Sequence, residues 1–431
     1  MKIYRYPSAA AEKRIASIVD RTLGFKKKDL AAVTRIVEDV RKNGDKALIK
    51  YVNQFDAPKL DLKSLKVSPE EIRLAGKQVS NGFRQALKRA YSQIEAFHRR
   101  QLSESWIFMP RPGTVLGQLV NPVGSAGIYV PGGKGGKTPL VSSVLMGAIP
   151  AKIAGVEQVS LVTPPTQSGA VNPHILVAAR QAGVDAVYKV GSAWAIAALA
   201  FGTQTVPKSD VIVGPGNIYV TLAKKILSGT VGIDIIAGPS EILVVADDTG
   251  RPEFIAADLL SQAEHDPLAS ALLVTTSPAV AKGVAAEVEK QLKRLNRKET
   301  AIESLNNYGA ILIVPDLKQA LALANRIAPE HLELQIESPF ESIGQIRNAG
   351  AVFLGGHTPE PVGDYVAGPN HVLPTAGTSR FASALSVDNF IKKTSLVYYA
   401  EEAFRREAAD IIRLAEIEGL DAHARAVRIR L

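Results

Sequence analysis

The chain has 431 residues, 46 % hydrophobic and 22 % charged, with seven His, no Cys and a formal net charge of +9. The length suits roughly two to three domains with ample core, and the missing Cys excludes disulfides, thiolate metal sites and a cysteine nucleophile. There is neither an apolar run of about 18 residues nor an apolar leader after Met1-Lys2-Ile3, so no membrane span and no secretory signal are expected, which favours the cytoplasm. The basic residues are spread beside acidic ones without an aromatic-rich patch. That argues against a nucleic-acid partner and is compatible with an anionic dinucleotide.

Residues 1 to about 26 read as an arm with weak helical periodicity. Residues 28–54 and 68–101 carry the spacing of amphipathic helices. The second opens on Ser68-Pro69-Glu70-Glu71, a capping-box pattern with proline at the first helical position. From about residue 113 short β-rich runs alternate with helical stretches. The runs are Gly127-Ile128-Tyr129-Val130, Val159-Ser160-Leu161-Val162, Ala186-Val187-Tyr188-Lys189-Val190 and Val211-Ile212-Val213. This alternation predicts a parallel α/β sheet. A weak repeat supports it: Ala154-Gly155-Val156-Glu157-Gln158-Val159 resembles Ala182-Gly183-Val184-Asp185-Ala186-Val187, with a helix-ending glycine before each strand. A second series runs through Glu241–Val245, Ala271–Thr275, Ala310–Val314 and Ala351–Leu354. The expected fold class is therefore α/β, with two Rossmann-like modules built on parallel sheets. An N-terminal helical arm and a C-terminal helical tail, with a helix from Glu401 to Glu418, complete it.

Several strings carry chemistry. Pro131-Gly132-Gly133-Lys134-Gly135-Gly136-Lys137-Thr138 is one residue from a phosphate-binding P-loop, but Pro131 stands where that motif needs Gly, and no strand-ending Asp for Mg²⁺ accompanies it. The alternatives are a loop at the sheet edge or a glycine-rich border to a dinucleotide site. Val213-Gly214-Pro215-Gly216-Asn217 joins a strand to a helix, where Asn217 either caps the helix or bonds a ligand beyond the strand ends. No G-x-G-x-x-G fingerprint follows a strand. Ala237-Gly238-Pro239-Ser240-Glu241 turns into a strand. Gln262 and His265, three apart at the end of an apolar helical pattern, share a helix face. Glu330-His331 precedes the alternating Leu332-Glu333-Leu334. Adjacent strand residues face apart, so the backbone must turn if both are to reach one site. Asp364 lies in a Gly/Pro-rich loop and is a turn former or a ligand. With His423 near the C-terminus, these separated positions could build one zinc or general-base centre from N and O donors alone. His98, His174, His357 and His371 read as surface or structural residues.

Taken together, the strings resemble the histidinol dehydrogenase family. They are Tyr129-Val130-Pro131-Gly132-Gly133, Gly214–Asn217, Ala237–Glu241, Leu260–Pro267, Ala328-Pro329-Glu330-His331-Leu332-Glu333 and Gly368–Thr375, in the family's order over about residues 30–425. The resemblance implies oxidation of L-histidinol to L-histidine through an enzyme-held aldehyde with two NAD, the last step of histidine biosynthesis. It implies zinc bound by Gln262, His265, Asp364 and His423, and Glu330 and His331 as acid/base residues. It implies substrate contacts from Ser240, Gln262, His265, His331, Asp364, Glu418 and His423, and cofactor contacts from Tyr129 and Asn217. Trp194, in Gly191-Ser192-Ala193-Trp194, replaces the family's cofactor-contacting Gln, and an indole donates one hydrogen bond but accepts none. The resemblance also implies a homodimer whose tail helps complete the partner's site. The domains expected are an arm (1–26), a discontinuous α/β domain with the metal and catalytic residues (27–127 with 239–378), a cofactor-side α/β domain (128–238) and the tail (379–431).

The chemistry suits these residues. Alcohol oxidation needs a base for the hydroxyl proton, and His titrates near neutrality. Without Cys, aldehyde oxidation requires water to add, with Glu330 as its activator; the zinc serves mainly to orient the substrate. The alternatives are a paralogous dehydrogenase acting on another polyol, such as a sulfopropanediol, and a P-loop nucleotide-binding protein.

Overall fold

The computed structural model describes residues 1–20, 25–132 and 138–431, so residues 133–137 of the P-loop-like stretch lie outside the described residues. Strand β1 is Ile3–Arg5, while β2 (Trp106–Arg111) and β3 (Thr114–Pro122) form an antiparallel hairpin. Next come β4 (Ser125–Tyr129), β5 (Gln158–Thr163), β6 (Ala186–Lys189), β7 (Val211–Val213) and β8 (Gly232–Ile233). They form a parallel sheet in the order β6-β5-β4-β7-β8. The second series is β9 (Glu241–Ala246), β10 (Ser270–Thr275), β11 (Gly309–Ile313), β12 (His331–Gln335) and β13 (Ala351–Leu354). With β1 at its edge it makes a six-stranded parallel sheet, β1-β11-β10-β9-β12-β13. Strand β14 (Ile391–Tyr399) pairs antiparallel with β3.

Both parallel sheets are buried on both faces, as helical crossovers require. Side chains alternate along each strand, so neighbours enter opposite cores. Ile128 packs in one cluster with Leu145 and Ile149, and Tyr129 in the other with Val37 and Trp194. In the six-stranded sheet Leu243 and Val245 face one cluster, Ile242 and Val244 the other. Each fully buried aliphatic side chain contributes about 1.5–3 kcal/mol, which makes these layers rigid platforms.

Several local expectations change. The helix read over 28–54 is two helices, Lys27–Asn43 and Asp45–Phe55, broken at Gly44, whose φ of 52° suits glycine. The 68–101 stretch also splits, into Pro69–Gln78 and Asn81–Arg99, because Ser80 accepts from the Phe83 N–H and starts a new helix. The capping box forms as read, with Ser68 and Glu71 bonding reciprocally. The arm holds a helix, Ala9–Val19, and also β1, which the periodicity did not show. The sequence grouped 27–127 with 239–378. In the structure the helices between Lys27 and Arg99 pack on the five-stranded sheet: Val33 and Leu48 on one face, Leu87 and Ile94 on the other. Their apolar stripes are matched to that sheet's core.

Candidate active site

In the six-stranded sheet β9 and β12 are neighbours, with His331 opposite Ile242. The helix Leu317–Ile327 ends at Ala328 with φ 55°, and this left-handed turn swings Pro329 and Glu330 into the start of β12. The backbone turn required for adjacent residues to reach one site is therefore present. Glu330 and Glu241 clasp each other: the Glu241 N–H donates to Glu330 Oε2 at 2.9 Å, and the Glu330 N–H donates to Glu241 Oε2 at 3.2 Å. His331 Nδ1 stands 2.9 Å from the Glu241 carbonyl oxygen. A carbonyl only accepts, so Nδ1 carries the proton and Nε2 is left bare when the ring is neutral. Burial pushes the His331 pKa down to about 4, which keeps the ring neutral. Burial, followed by the charge of Glu241, raises Glu330 well above the usual carboxylate range.

The bare Nε2 faces an acidic wall. Asp364 lies not in a loop, as the Gly/Pro-rich sequence suggests, but in a short helix, Glu360–Tyr365, where four-residue spacing puts Glu360 and Asp364 on one face. Glu360 Oε1 is 3.9 Å from His331 Nε2. Donor atoms of His331, Glu360 and Asp364 all lie within 4.8 Å of one another, a cluster able to hold a cation. Burial, and then the charge of Asp364, pushes Glu360 up to about 9. For Asp364 burial acts upward, but His371, whose Nδ1 is 3.7 Å from Oδ1, together with His331 and Glu360 makes the net shift downward. The Glu360 N–H donates to Glu333 Oε1 at 3.0 Å, and Gln335 Nε2 bridges Glu333 and Asp258 at 3.1 and 2.7 Å. This buried brace fixes the start of the short helix.

Gln262 is buried near the end of the helix Pro252–Ala263, and its Oε1 has no hydrogen-bond partner. The helix stops before His265, which follows in a turn whose N–H donates to the Gln262 carbonyl at 3.2 Å. His265 is exposed, yet its charge registers on His331. A cleft of about 280 Å³ joins His265 and Ser240 to Gly216 and Asn217. It runs from the amino end of the six-stranded sheet to the carboxyl end of the five-stranded one. Asn217 caps the helix Ile218–Leu227, its Oδ1 accepting from the Tyr219 and Val220 N–H groups at 3.0 and 3.2 Å, so its Nδ2 is the atom left for a ligand. Tyr129 is buried, and its hydroxyl oxygen accepts from the Ser192 N–H at 3.2 Å.

Trp194 is 5 % exposed and stacked on Tyr51 and Phe55, with ring centroids 5.8 and 5.4 Å away. That burial leaves the indole little surface for a cofactor. Beside it burial pushes Asp56 up to about 7, the indole N–H acting in the opposite direction. Glu418 and His423 are exposed on the C-terminal helices Glu401–Ile417 and Asp421–Arg428, Glu418 capping the first. The sequence reading missed Glu241, Glu360 and His371. The available signal was the four-residue spacing of Glu360 and Asp364; Glu241 showed only as the residue after a turn.

A family model described as histidinol dehydrogenase matches residues 21–431. A histidinol dehydrogenase of Carboxydothermus hydrogenoformans is 54 % identical over 400 residues, 93 % of either chain. One from Clostridium acetobutylicum is 50 % identical over 430 residues, covering 100 % of this chain and 99 % of its own. The crystal structure of histidinol dehydrogenase from Elizabethkingia anophelis superposes with a TM-score of 0.93 at 40 % identity, covering 100 % of this chain and 98 % of the other.

Proposed function

From the premise that the chain belongs to the histidinol dehydrogenase family, an oxidoreductase family, we propose that it converts L-histidinol to L-histidine in two oxidations. The aldehyde stays bound between them. The observation that carries this reading is the double attachment of Glu330 and His331 to Glu241, which aims an acid/base pair at one cation-binding cluster.

The donors fit a zinc ion. The buried, unpartnered Oε1 of Gln262 and the downward-shifted Asp364 are hard oxygen ligands, and His265, three residues after Gln262, lines the cleft with Ser240. We assign zinc to Gln262, His265 and Asp364, with His423 from the partner subunit. The cleft at Asn217, open to the start of a ten-residue helix, fits an anionic dinucleotide, NAD. When bound, the metal orients the amino and imidazole nitrogens of the substrate, and NAD⁺ accepts hydride.

The chain's own groups do the rest. His331 Nε2, bare and facing Glu360 and Asp364, takes the hydroxyl proton as hydride leaves the carbinol carbon; the Asp364 carboxylate, whose charge favours protonated His331, stabilises the resulting imidazolium. Water then adds to the aldehyde carbon, with Glu330 receiving its proton. The hydrate anion so formed loses a second hydride to give the carboxylic acid, which releases its remaining hydroxyl proton to water and leaves as the carboxylate. Burial gives Glu330 a resting proton, which it must shed before it can take one from water. Ser240, Gln262, His265, His331 and Asp364, with Glu418 and His423, form the substrate site. Tyr129 and Asn217 form the cofactor side, and Trp194 packs in the same core as Tyr129 and acts there only through its neighbours.

A homodimer is supported by unpaired apolar surface on the β2–β3–β14 sheet and the C-terminal helices. Ile107 and Met109 are 66 % and 76 % exposed, Leu414 and Ile417 62 % and 77 %. Such a patch marks an interface, and a two-fold dimer gives two shared sites. Among the described residues no helix is long and apolar enough to cross a membrane.

The test is to count NADH, by its absorbance, against L-histidinol consumed by zinc-loaded protein. Two NADH per histidinol are expected. A single NADH with released aldehyde, or none at all, would overturn the proposal.

A further inference from the structure

Lys224 and Asp234 form a buried ion pair away from the acidic cluster. Lys224 lies on the Ile218–Leu227 helix and Asp234 just beyond β8. Nζ and Oδ1 are 2.6 Å apart, with the side chains 4 % and 0 % exposed. Both also hold a single residue. The Gly214 N–H donates to Asp234 Oδ2 at 2.8 Å, and Lys224 Nζ donates to the Gly214 carbonyl at 2.5 Å. Gly214 is the first residue past β7, beyond the reach of the strand ladder. Its φ is +114°, and a Cβ there would lie 2.1 Å from the Tyr129 carbonyl oxygen. The loop ending at Asn217 is thereby seated flush on the end of β4.

A buried ion pair is weak evidence for stability, because desolvation offsets much of the attraction and a packed apolar pair would hold the helix as well. What this pair adds is direction. It supplies one acceptor and one donor to a left-handed glycine that would otherwise bury two unsatisfied backbone groups. We propose that Lys224 and Asp234 are positioning residues for the dinucleotide site: by gripping Gly214 from both sides they set the Gly214–Asn217 loop against Tyr129. The inference rests on the NAD reading above, and it assigns the pair an indirect role through Asn217 and the start of its helix.

The experiment compares four variants with wild type by calorimetric titration of NAD⁺ and by amide hydrogen exchange over 214–217, a readout independent of the cofactor. Lys224→Met/Asp234→Leu removes both charges together. It is expected to fold with a near-native thermal midpoint, to exchange at least about tenfold faster over 214–217 and to bind NAD⁺ at least about tenfold more weakly. Asp234→Asn keeps an acceptor for the Gly214 N–H and should retain most of the protection and affinity. If the double variant does not fold, Asp234→Asn against Asp234→Ala makes the same comparison. Native protection over 214–217 in a folded grip-less variant overturns the grip. Lost protection with native NAD⁺ affinity overturns its role in the cofactor site. Asn217→Ala separates the two readings: if it leaves NAD⁺ affinity untouched, the cofactor assignment fails, while exchange still judges the grip.

Discussion

The two parallel sheets share a layout. With β1 at the edge of the larger sheet set aside, the first strand of each series (β4, β9) sits inside, two successors lie on one side and two on the other. They nevertheless meet the cleft with opposite ends. The five-stranded sheet offers the carboxyl ends of β4 and β7, where Tyr129 and Gly214–Asn217 lie, the usual ligand position at a topological switch point. The six-stranded sheet offers the amino ends of β9 and β12, where Glu241, Glu330 and His331 lie. One end presents glycine-lined backbone and a helix start, suited to an anionic cofactor. The other presents buried side chains whose protonation is set by burial. Equal topology therefore does not place function; the end turned toward the neighbouring sheet does.

The sharpest way to break this contrast is to remove the metal. Chelation should abolish turnover while circular dichroism stays native, and added zinc should restore it. Activity persisting after elemental analysis shows no zinc would remove the metal from the acidic end.

Next in size is Glu330→Gln. Loss of a general base costs about 10²–10⁴ in rate, and the loss should fall on the aldehyde step far more than on the alcohol step. Turnover measured separately on histidinol and on its aldehyde decides; equal losses would merge the roles of Glu330 and His331.

In the proposed dimer the tail links the two ends across subunits. A His423→Ala variant and a His265→Ala variant should each be inactive, and subunit exchange between them should return part of the wild-type activity. Heterodimers without activity would mean that the tail serves its own chain.

A smaller effect concerns stability beside Trp194. Asp56 has a folded pKa of about 7 against an ordinary value of 3.8, so the native state holds its proton where the unfolded chain has lost it. Stability from this group is thus greatest below pH 3.8, falls as pH rises toward 7 and then levels off, by at most about 4 kcal/mol. Asp56→Asn should flatten that part of the curve relative to wild type in denaturant melts at several pH values. An unchanged slope would assign the pH dependence elsewhere.

The smallest signal is from Trp194. In a Trp106→Phe background it is the sole indole, since the chain has two Trp. NAD⁺ saturation should change its fluorescence slightly through the Tyr51–Trp194–Phe55 stack. No change would leave the ring as core packing alone.

Much of this was legible in the sequence because it is local. The strand runs of both sheets, the Ser68–Glu71 capping box and the helix cap at Asn217 each follow from a few neighbouring residues. The resemblance supplied the expected membership of the site. What stayed hidden depends on contacts between distant segments. β1 has three residues and no alternation to read, and it becomes a strand only because β11 offers an edge. Glu241 matters because β12 lies beside β9. His371 looked like any loop histidine until the fold set it against Asp364. The break at Gly44 inside an otherwise helical pattern is set by tertiary contact, since the Asp45 N–H donates to Gln204.

The placement of β1 has a consequence for synthesis. Ile3 pairs with Ile311, so the ribosome must add roughly 300 residues, about 15–60 s of elongation, before the first strand has its partner. Until then the N-terminus waits unpaired, and a shortened N-terminus would leave β11 as an open edge on the finished protein, inviting a second molecule to add a strand there. Affinity tags and fusions for this chain therefore need a linker that lets residues 3–5 reach that edge.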